Sequence, residues 1–476
     1  MKTSASYTAA QGERRRHLFR ARPITADIDR DTGLHRCLGA LDLTLMGIGA
    51  IIGAGIFVLT GIAAATQAGP AIMLSFVVAG CACAFTALSY AELAAMIGGC
   101  GSAYGYTYAS IGELFAWIIG WDLILEYGVA TAAVAIGWSG YMNNALTAMG
   151  FPLPDLLLKA PAAGGVINLP AALIVLSLSI LLAIGVRQSA RFNAAMVVIK
   201  LGAITLFILV AVFNVQPANW QPFMPFGWAG VMKGAALIFF AYIGFDAVST
   251  AAEEAKRPSR DLPLGILASL AVCTVIYMLV SALLTGIVPS ASLNVPSPVA
   301  EALLHIGYRW AAGVIAAGAI AGLTTVMLVL YYGLTRLFLA MARDGLLPPL
   351  FSTIHPRTQT PVRIVILCGV LIAAIAGLTP IADVAELVNI GTLAAFVLVC
   401  GVVIFLRQAR PELARPFKTP FSPVVPALGM LSCLYLMLSL PAVTWWRFVI
   451  WLGIGLVIYF SYSRQHSLLN GKAPHQ

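Results

Sequence analysis

The sequence predicts an all-α polytopic membrane protein, and two observations support this fold class. Of the 476 residues, 60% are hydrophobic and only 10% are charged, whereas soluble proteins average about 45–50% and about 25%. Stretches without any Asp, Glu, Lys or Arg reach or exceed the roughly 20 residues that span a bilayer, and they lie at 71–91, 262–300, 310–335 and 387–406. This composition excludes a soluble enzyme.

Apolar length and the punctuation by Gly, Pro and charge divide the chain into twelve predicted transmembrane helices between two polar tails, 1–39 and 464–476. The predicted spans are 40–65, 71–97, 112–143, 168–186, 193–213, 231–254, 263–288, 311–340, 361–378, 383–406, 424–440 and 446–463. No segment between them is long enough for a separate catalytic domain.

The distribution of basic residues predicts that both termini are cytoplasmic. In that orientation, 23 of the 28 Lys and Arg residues lie in cytoplasmic segments, as the positive-inside rule requires. The same distribution explains the net charge of +9 without a nucleic-acid partner. Because the N-terminal tail lacks the apolar core of a signal peptide, we expect no cleavage.

The eight cysteines indicate neither a metal site nor a disulfide framework. Six of them lie inside apolar runs, where cysteine packs as a small hydrophobic residue, and none has the spacing of metal ligands. No cofactor is predicted, and the sequence does not indicate an oligomeric state.

The first predicted span carries four glycines at its centre, Gly47, Gly49, Gly53 and Gly55. Each glycine costs about 1 kcal/mol relative to alanine inside a helix, so this density favours unwinding in mid-membrane. Non-helical backbone at that depth is tolerated only where protein or a watery cavity satisfies it. The alternative is a close helix-packing face. A dinucleotide-binding loop is excluded, because the glycines follow no strand.

The sixth predicted span has a second irregularity at 239–250, where Gly244 and Asp246 interrupt an apolar helix. Paired interruptions in corresponding positions of two halves are typical of transporters built from inverted repeats. Freed amides at a helix N-terminus bind a carboxylate, and freed carbonyls accept hydrogen bonds from an ammonium group. A ligand that carries both groups is an amino acid.

Several polar residues inside the spans are candidates for further roles. Lys200 lies about two turns into the fifth span, where an ionisable residue often marks a proton pathway. We interpret it as the carrier of the coupling proton, with a lysine that snorkels to the interface as the alternative. Thr324 and Thr325 of the eighth span could offer hydroxyl oxygens to a cation, although a bond to their own helix is an alternative.

Asp122 and Glu126 are four residues apart in the third span and therefore share a helix face. A buried carboxylate there could hold a substrate cation, brace the broken first helix or pair with Lys200, and the sequence does not choose among these roles. Asp246 is interpreted mainly as a brace of the second break. Glu92, Glu253 and Glu254 fall near cytoplasmic span ends, where salt bridges to loops are expected.

Six stretches carry a family resemblance. They are GIGAIIGAGIF at 47–57, GSAYGYTYASIGE at 101–113, GWDLILEY at 120–127, FNAAMVVIK at 192–200, FFAYIGFDAVSTAAEEAKRPSRDLP at 239–263 and TRLFLAMARDGLLP at 335–348. With them the chain resembles bacterial members of the cationic amino acid transporter family, within the amino acid–polyamine–organocation superfamily. The resemblance implies a five-plus-five inverted repeat, helices 1–5 at 40–213 and helices 6–10 at 231–406, followed by two helices at 424–463.

The resemblance also implies which residues form the site. Unwound helices 1 and 6 would surround the substrate, with the amides of Ala54 and Gly55 on its carboxylate. The carbonyls of Ile51, Phe240 and Ile243 would receive its amine. The remaining implied or predicted substrate contacts are Gly53, Ala241, Glu126 and Met327, and Lys200 matches a fifth-helix lysine of proton-coupled relatives.

We therefore expect a permease of the cytoplasmic membrane that couples L-amino acid uptake to protons by alternating access. We favour broad or neutral substrates over strictly cationic ones, because the predicted pocket residue Met327 is apolar and has no group that would bind a cation. Phe240 is expected to gate the site from outside. The alternatives are an exchanger without proton coupling and a sensor that binds amino acids without transport. An enzyme is not expected, because no nucleophile, base and acid set can be assembled.

Overall fold

The computed structural model describes residues 38–97, 103–185, 190–246, 248–249, 255–356, 358 and 360–470. Regular structure in these ranges is helical, apart from one parallel backbone pairing between Leu38 and Ala255. Residues 1–37 of the first predicted tail and 471–476 of the second, together with Glu253 and Glu254, lie outside the described residues. The all-helical prediction is confirmed for the part of the chain that is described.

The helices are numbered here in chain order, leaving short helical turns unlabelled. The first seven are α1 (Ala40–Ile51), α2 (Ile72–Ile97), α3 (Ala103–Ser110), α4 (Glu113–Ala148), α5 (Leu169–Ile184), α6 (Ala190–Val212) and α7 (Gly227–Ile238). The others are α8 (Pro258–Ile287), α9 (Pro298–His305), α10 (Arg309–Arg343), α11 (Val362–Leu378), α12 (Ile381–Ala409), α13 (Val424–Leu438) and α14 (Ala442–Ile458).

Seven helical stretches of the described chain are long and apolar enough to cross a membrane. They are Gly55–Met96, Glu113–Ala148, Ala194–Val212, Pro258–Ile287, Arg309–Arg343, Ile381–Ala409 and Ala442–His466. Five shorter apolar helical stretches of 10–17 residues accompany them, namely Ala40–Ile51, Leu169–Ile184, Gly227–Tyr242, Val362–Leu378 and Val424–Leu438. The chain is thus a multi-pass membrane protein, whereas the count of twelve spans stays a prediction.

The helices pack around α4, which is buried along most of its length. It contacts α10 and α12 extensively, and α5 and α11 also pack on it. Peripheral helices instead expose apolar side chains, as Leu173, Leu176 and Ile180 do on α5. Because these three residues recur at helical spacing, they form an apolar stripe facing outward, which suits contact with lipid.

One buried ion pair ties helix ends together at the predicted cytoplasmic face. The carboxylate of Glu92 on α2 accepts hydrogen bonds from Arg407 Nη2 on α12 at 2.6 Å and from the amide of Thr419 at 2.7 Å. Arg415 Nε lies 3.6 Å from the same carboxylate. The Glu92 side chain is only 2% exposed, so its charge is balanced by these groups and little by water.

Removing this carboxylate charge is expected to destabilise the protein. Breaking a buried ion pair by changing one partner costs about 3–5 kcal/mol, because the other charge stays uncompensated. We therefore expect Glu92→Gln to lower the apparent melting temperature of the detergent-purified protein clearly, as followed by intrinsic fluorescence.

The matched control is Asp155→Asn in the exposed pair of Lys159 and Asp155, whose two groups are also 2.6 Å apart. Exposed pairs contribute roughly 0–1 kcal/mol, so this variant should melt close to the wild type. Equal melting of the two variants would contradict a stabilising role of the buried pair.

Candidate functional site

The first helix is broken in the middle of its predicted span. Helix α1 ends at Ile51, and Ile52 is extended with φ −73° and ψ 100°. Helical structure resumes at Ala54 as a π-helical turn over Gly55–Leu59, and the amide of Phe57 bonds to the carbonyl of Gly53 at 3.4 Å. Since the first amides of a helix have no acceptor within it, those of Ala54 and Gly55 are placed to bind an anion.

The second break follows α7. The α-helix ends at Ile238, a 3-10 turn covers Phe239–Tyr242, and Ile243 is extended with ψ 135°. Gly244 then adopts φ +112°, and a Cβ there would lie 3.0 Å from the carbonyl oxygen of Ala50. Only glycine combines this conformation with this close approach, so the sequence signal at 244 has a direct structural reason.

The two breaks meet at Gly55 and enclose a small cavity. A Cβ on Gly55 would lie 2.3 Å from Cα and 2.4 Å from Cβ of Ala241, so the two backbones touch directly. The cavity beside this contact has about 20 Å³, enough for about one water molecule. An amino acid is larger, and its binding requires the walls to move apart.

The cavity wall contains six of the predicted substrate-binding residues and five that were not predicted. The predicted ones are Ile51, Gly53, Ala54, Gly55, Phe240 and Ile243, and the others are Ala50, Ala130, Val134, Val326 and Leu330. Spacing could have indicated four of the additional residues. Ala130 and Val134 continue the face of Glu126 by one and two turns, and Val326 and Leu330 are also four residues apart.

Three predicted residues are not part of the wall. Ala241 lies against Gly55, and its carbonyl faces Tyr277. Met327 is fully buried next to Val326 in the sequence, while Glu126 precedes the wall residue Ala130 by one helical turn. Their roles in binding stay predictions.

Tyr277 of α8 joins the two breaks and was not predicted. Its hydroxyl lies 2.9 Å from the carbonyl oxygen of Ile51 and 3.0 Å from that of Ala241. The side chain is fully buried and packs edge-to-face on Tyr242. One phenol hydroxyl thus lies within hydrogen-bond distance of a freed carbonyl of each broken segment, and nothing in the pattern around position 277 indicates this.

Lys200 of α6 donates hydrogen bonds to backbone carbonyls at the first break. Its Nζ donates to the carbonyl of Gly49 at 2.8 Å and to that of Ile52 at 3.1 Å. These carbonyls lie at the C-terminal end of α1, where the helix dipole favours a cation. The side chain is 1% exposed, so the snorkelling interpretation does not describe this conformation.

The stem of Lys200 packs against α10. A Cβ on Gly322 would lie 2.8 Å from Cε of the lysine, so the glycine makes room for it. The two predicted threonines bond within their own helix, since Thr324 Oγ1 donates to Ile320 at 2.7 Å and Thr325 Oγ1 to Gly322 at 2.8 Å. Thr324 Oγ1 also accepts from Trp138 Nε1 at 3.0 Å. Their role in proton coupling stays a prediction.

The carboxylates of the third predicted span are buried on α4. Asp122 is 3% and Glu126 is 1% exposed, and neither is paired with Lys200, whose bonds within the described chain go to carbonyls. Asp122 Oδ1 and Glu126 Oε1 have no hydrogen-bond partner among the described residues. The sequence left three roles open for these carboxylates. One of them, a pair between Glu126 and Lys200, is not formed in this conformation.

Comparison with known proteins gives a matching family model and several similar proteins. A family model described as amino acid permease matches residues 38–462. The branched-chain amino acid permease BcaP of Bacillus subtilis (strain 168) is 53% identical over 461 residues, which cover 95% of this chain and 99% of the relative. The methylthioribose transporter of the same organism is 51% identical over 457 residues, with the same coverage.

More distant relatives carry a different name. Cationic amino acid transporter 4 of Homo sapiens is 41% identical over 397 residues, which cover 82% of this chain and 62% of the human protein. All three relatives are named as transporters or permeases. This supports the prediction that the chain is not an enzyme.

The contact between the breaks provides a test of the site. Gly55→Ala places a methyl group 2.4 Å from Cβ of Ala241, and overpacking of this kind costs about 1–3 kcal/mol. We expect the affinity for the transported substrate to fall roughly tenfold or more, measured as the KM of uptake into proteoliposomes.

The control is Gly202→Ala on α6, where a Cβ would meet nothing within 4 Å. This variant removes a helix glycine without touching the site, so its KM should equal that of the wild type. If both variants transport normally, the contact of the two breaks does not shape the site.

Proposed function

The chain belongs to the amino acid permease family, and on this premise we propose that it is a secondary carrier for L-amino acids. The observation that supports this function is the meeting of two broken helices at one cavity. Ala54 and Gly55, which begin one half-helix, line this cavity together with Ile51, Phe240 and Ile243. We assign the substrate carboxylate to the amides of the first two residues and its ammonium group to the carbonyls of the other three. This arrangement suits the carboxylate and the ammonium group of an amino acid.

In this proposal, the chain has twelve spans with a five-plus-five inverted repeat over 40–213 and 231–406. Both termini lie in the cytoplasm, and the protein resides in the cytoplasmic membrane. The breaks support the repeat, because they fall in the first and sixth spans, which are corresponding positions of the two halves. The count also requires the five shorter apolar helical stretches to contribute to spans, with Ala40–Ile51 and the start of Gly55–Met96 forming one broken span.

The small cavity supports an alternating-access cycle. At about 20 Å³ the cavity is too small for an amino acid in the described conformation. Substrate binding then requires other conformations, and a ligand shifts their populations only through its differential affinity for them. Phe240, which is 5% exposed in the wall, acts in this cycle as the gate toward the outside.

Lys200 is proposed to couple the cycle to protons. Its protonated amine can bond to Gly49 and Ile52 at once and offsets the partial negative charge at the end of α1. The neutral amine has one donor fewer and no charge, so α1 is held less firmly. Proton binding and the position of α1 therefore influence each other, which is the requirement for symport.

A neutral, apolar amino acid is the favoured substrate class. Val134, Val326 and Leu330 give the cavity an apolar wall, which suits a branched aliphatic side chain. One of the relatives above 50% identity is named a branched-chain amino acid permease. The buried carboxylate of Glu126 lies one turn from the wall and would be the partner of a basic side chain in a cationic substrate.

Direct uptake by proteoliposomes tests the function and its substrate class. We expect L-leucine, L-isoleucine and L-valine to be taken up and to compete with one another, with L-lysine and L-arginine at least roughly tenfold less effective. Methylthioribose is included in the panel because of the second relative. Specific binding without any flux would favour a sensor, and preferred uptake of L-lysine would contradict the neutral class.

Proton coupling is tested by changing the amine of Lys200. Lys200→Met cannot carry a proton, and Lys200→Arg cannot release one, so in both variants an imposed inward proton gradient should no longer accelerate uptake. Counterflow without a gradient measures whether each variant still folds and exchanges substrate. The control, Lys159→Met, changes a lysine with a 46% exposed side chain.

Undiminished gradient-driven uptake by Lys200→Met would eliminate the coupling role. Wild-type counterflow that persists unchanged with the gradient collapsed, and uptake that never responds to a gradient, would instead favour an exchanger.

A further inference from the structure

Asn389 of α12 makes a contact that the proposed carrier mechanism has not used. Its Nδ2 donates to the carbonyl oxygens of Ala236 and Leu237 on α7, both at 2.8 Å. The side chain is fully buried. Its Oδ1 has no partner among the described residues, so these two bonds are what holds the side-chain amide in place.

The two acceptors lie where α7 needs donors from elsewhere. Ala236 and Leu237 belong to the last turn of the α-helix, which gives way at Phe239 to a 3-10 turn. The last carbonyls of an α-helix have no intrahelical amide, and at membrane depth water does not replace it. The carboxamide of asparagine carries two N–H donors on one nitrogen, which matches two adjacent carbonyls.

The orientation of the carboxamide is fixed by the same chemistry. If the oxygen and nitrogen of the Asn389 side chain were exchanged, an oxygen would face two carbonyl oxygens at hydrogen-bond distance. The donor arrangement is the one that satisfies the hydrogen-bond network. A second contact joins the same two segments, because Phe396 of α12 packs edge-to-face on Phe239 with 5.7 Å between ring centroids.

We propose that Asn389 is a positioning residue that anchors the broken end of α7 to α12 and thereby sets the position of the substrate-facing backbone at Phe240. This inference rests on the proposed carrier function. Phe240 and Ile243 follow the second anchored carbonyl, that of Leu237, by three and six residues and line the cavity. Loss of the anchor leaves two buried carbonyls without donors, and the 3-10 turn that carries Phe240 is no longer held in register.

The first experiment tests the contact between Asn389 and the end of α7 in the absence of substrate. In the full-length protein in detergent, Asn389→Leu should accelerate backbone hydrogen–deuterium exchange in peptides covering 236–243. The control is Thr285→Val, a change at a fully buried residue of α8, whose hydroxyl bonds to Ser281 of its own helix at 3.0 Å. Unchanged exchange in Asn389→Leu, with a folded protein, would overturn the anchor regardless of what the protein transports.

The effect on the substrate is measured with L-leucine as the probe. We expect Asn389→Leu to raise the dissociation constant roughly tenfold, the equivalent of about 1.4 kcal/mol, while Thr285→Val binds as the wild type does. The KM of uptake should rise in the same proportion, and the maximal rate should change less, since the chemistry of Lys200 is untouched.

Asn389→Asp separates a hydrogen-bond role from a packing role. Its carboxylate places oxygens opposite two carbonyls, but once protonated it regains one donor. Binding relative to the wild type should therefore recover on moving from mildly alkaline to acidic buffer, whereas Asn389→Leu should not recover. An equal, pH-independent loss in both variants would overturn the proposal. Failure of the wild type to bind L-leucine, with accelerated exchange in Asn389→Leu, would reject the substrate assignment and keep the anchor.

Discussion

The structure depends on one constraint, the need to satisfy backbone carbonyls where two helices end in the middle of the membrane. Hydrocarbon offers no donors there, and each unsatisfied group costs several kcal/mol. Three buried side chains supply the donors. Lys200 donates hydrogen bonds to carbonyls at the end of α1, and Asn389 donates to carbonyls at the end of α7. The hydroxyl of Tyr277 lies between the two broken segments. The breaks exist because α6, α8 and α12 bring these groups to them.

The helix ends at the two breaks have different surroundings. Side chains donate to carbonyls of α1 and α7, whereas Ala54 and Gly55, which begin the next half-helix, line the cavity. The proposed function assigns the amides of these two residues to the carboxylate of the substrate.

The two helix breaks are visible in the sequence, whereas the side chains of Tyr277 and Asn389 that donate to the backbone at these breaks are not. The glycines at 53, 55 and 244 and the charge of Lys200 are conspicuous in apolar spans, so the sequence alone draws attention to these positions. Tyr277 and Asn389 are ordinary residues of amphipathic membrane helices, and their partners lie 226 and 153 residues away. Only three-dimensional distances identify such pairs. For the same reason, the pairing of Glu126 with Lys200 remained open until the lysine was located on the carbonyls of α1.

The link at Tyr277 differs in kind from the other two. A hydroxyl carries one hydrogen and can donate fully to one carbonyl at a time, although two carbonyls lie within 3.0 Å. Separation of the two broken segments therefore removes a shared bond, and the hydroxyl keeps the carbonyl that stays close. Lys200 and Asn389 each contact a single segment through two bonds, so separation of the two segments does not by itself break these bonds. In the proposed cycle, the cavity can then open between the breaks at the loss of about one hydrogen bond, while both helix ends remain satisfied.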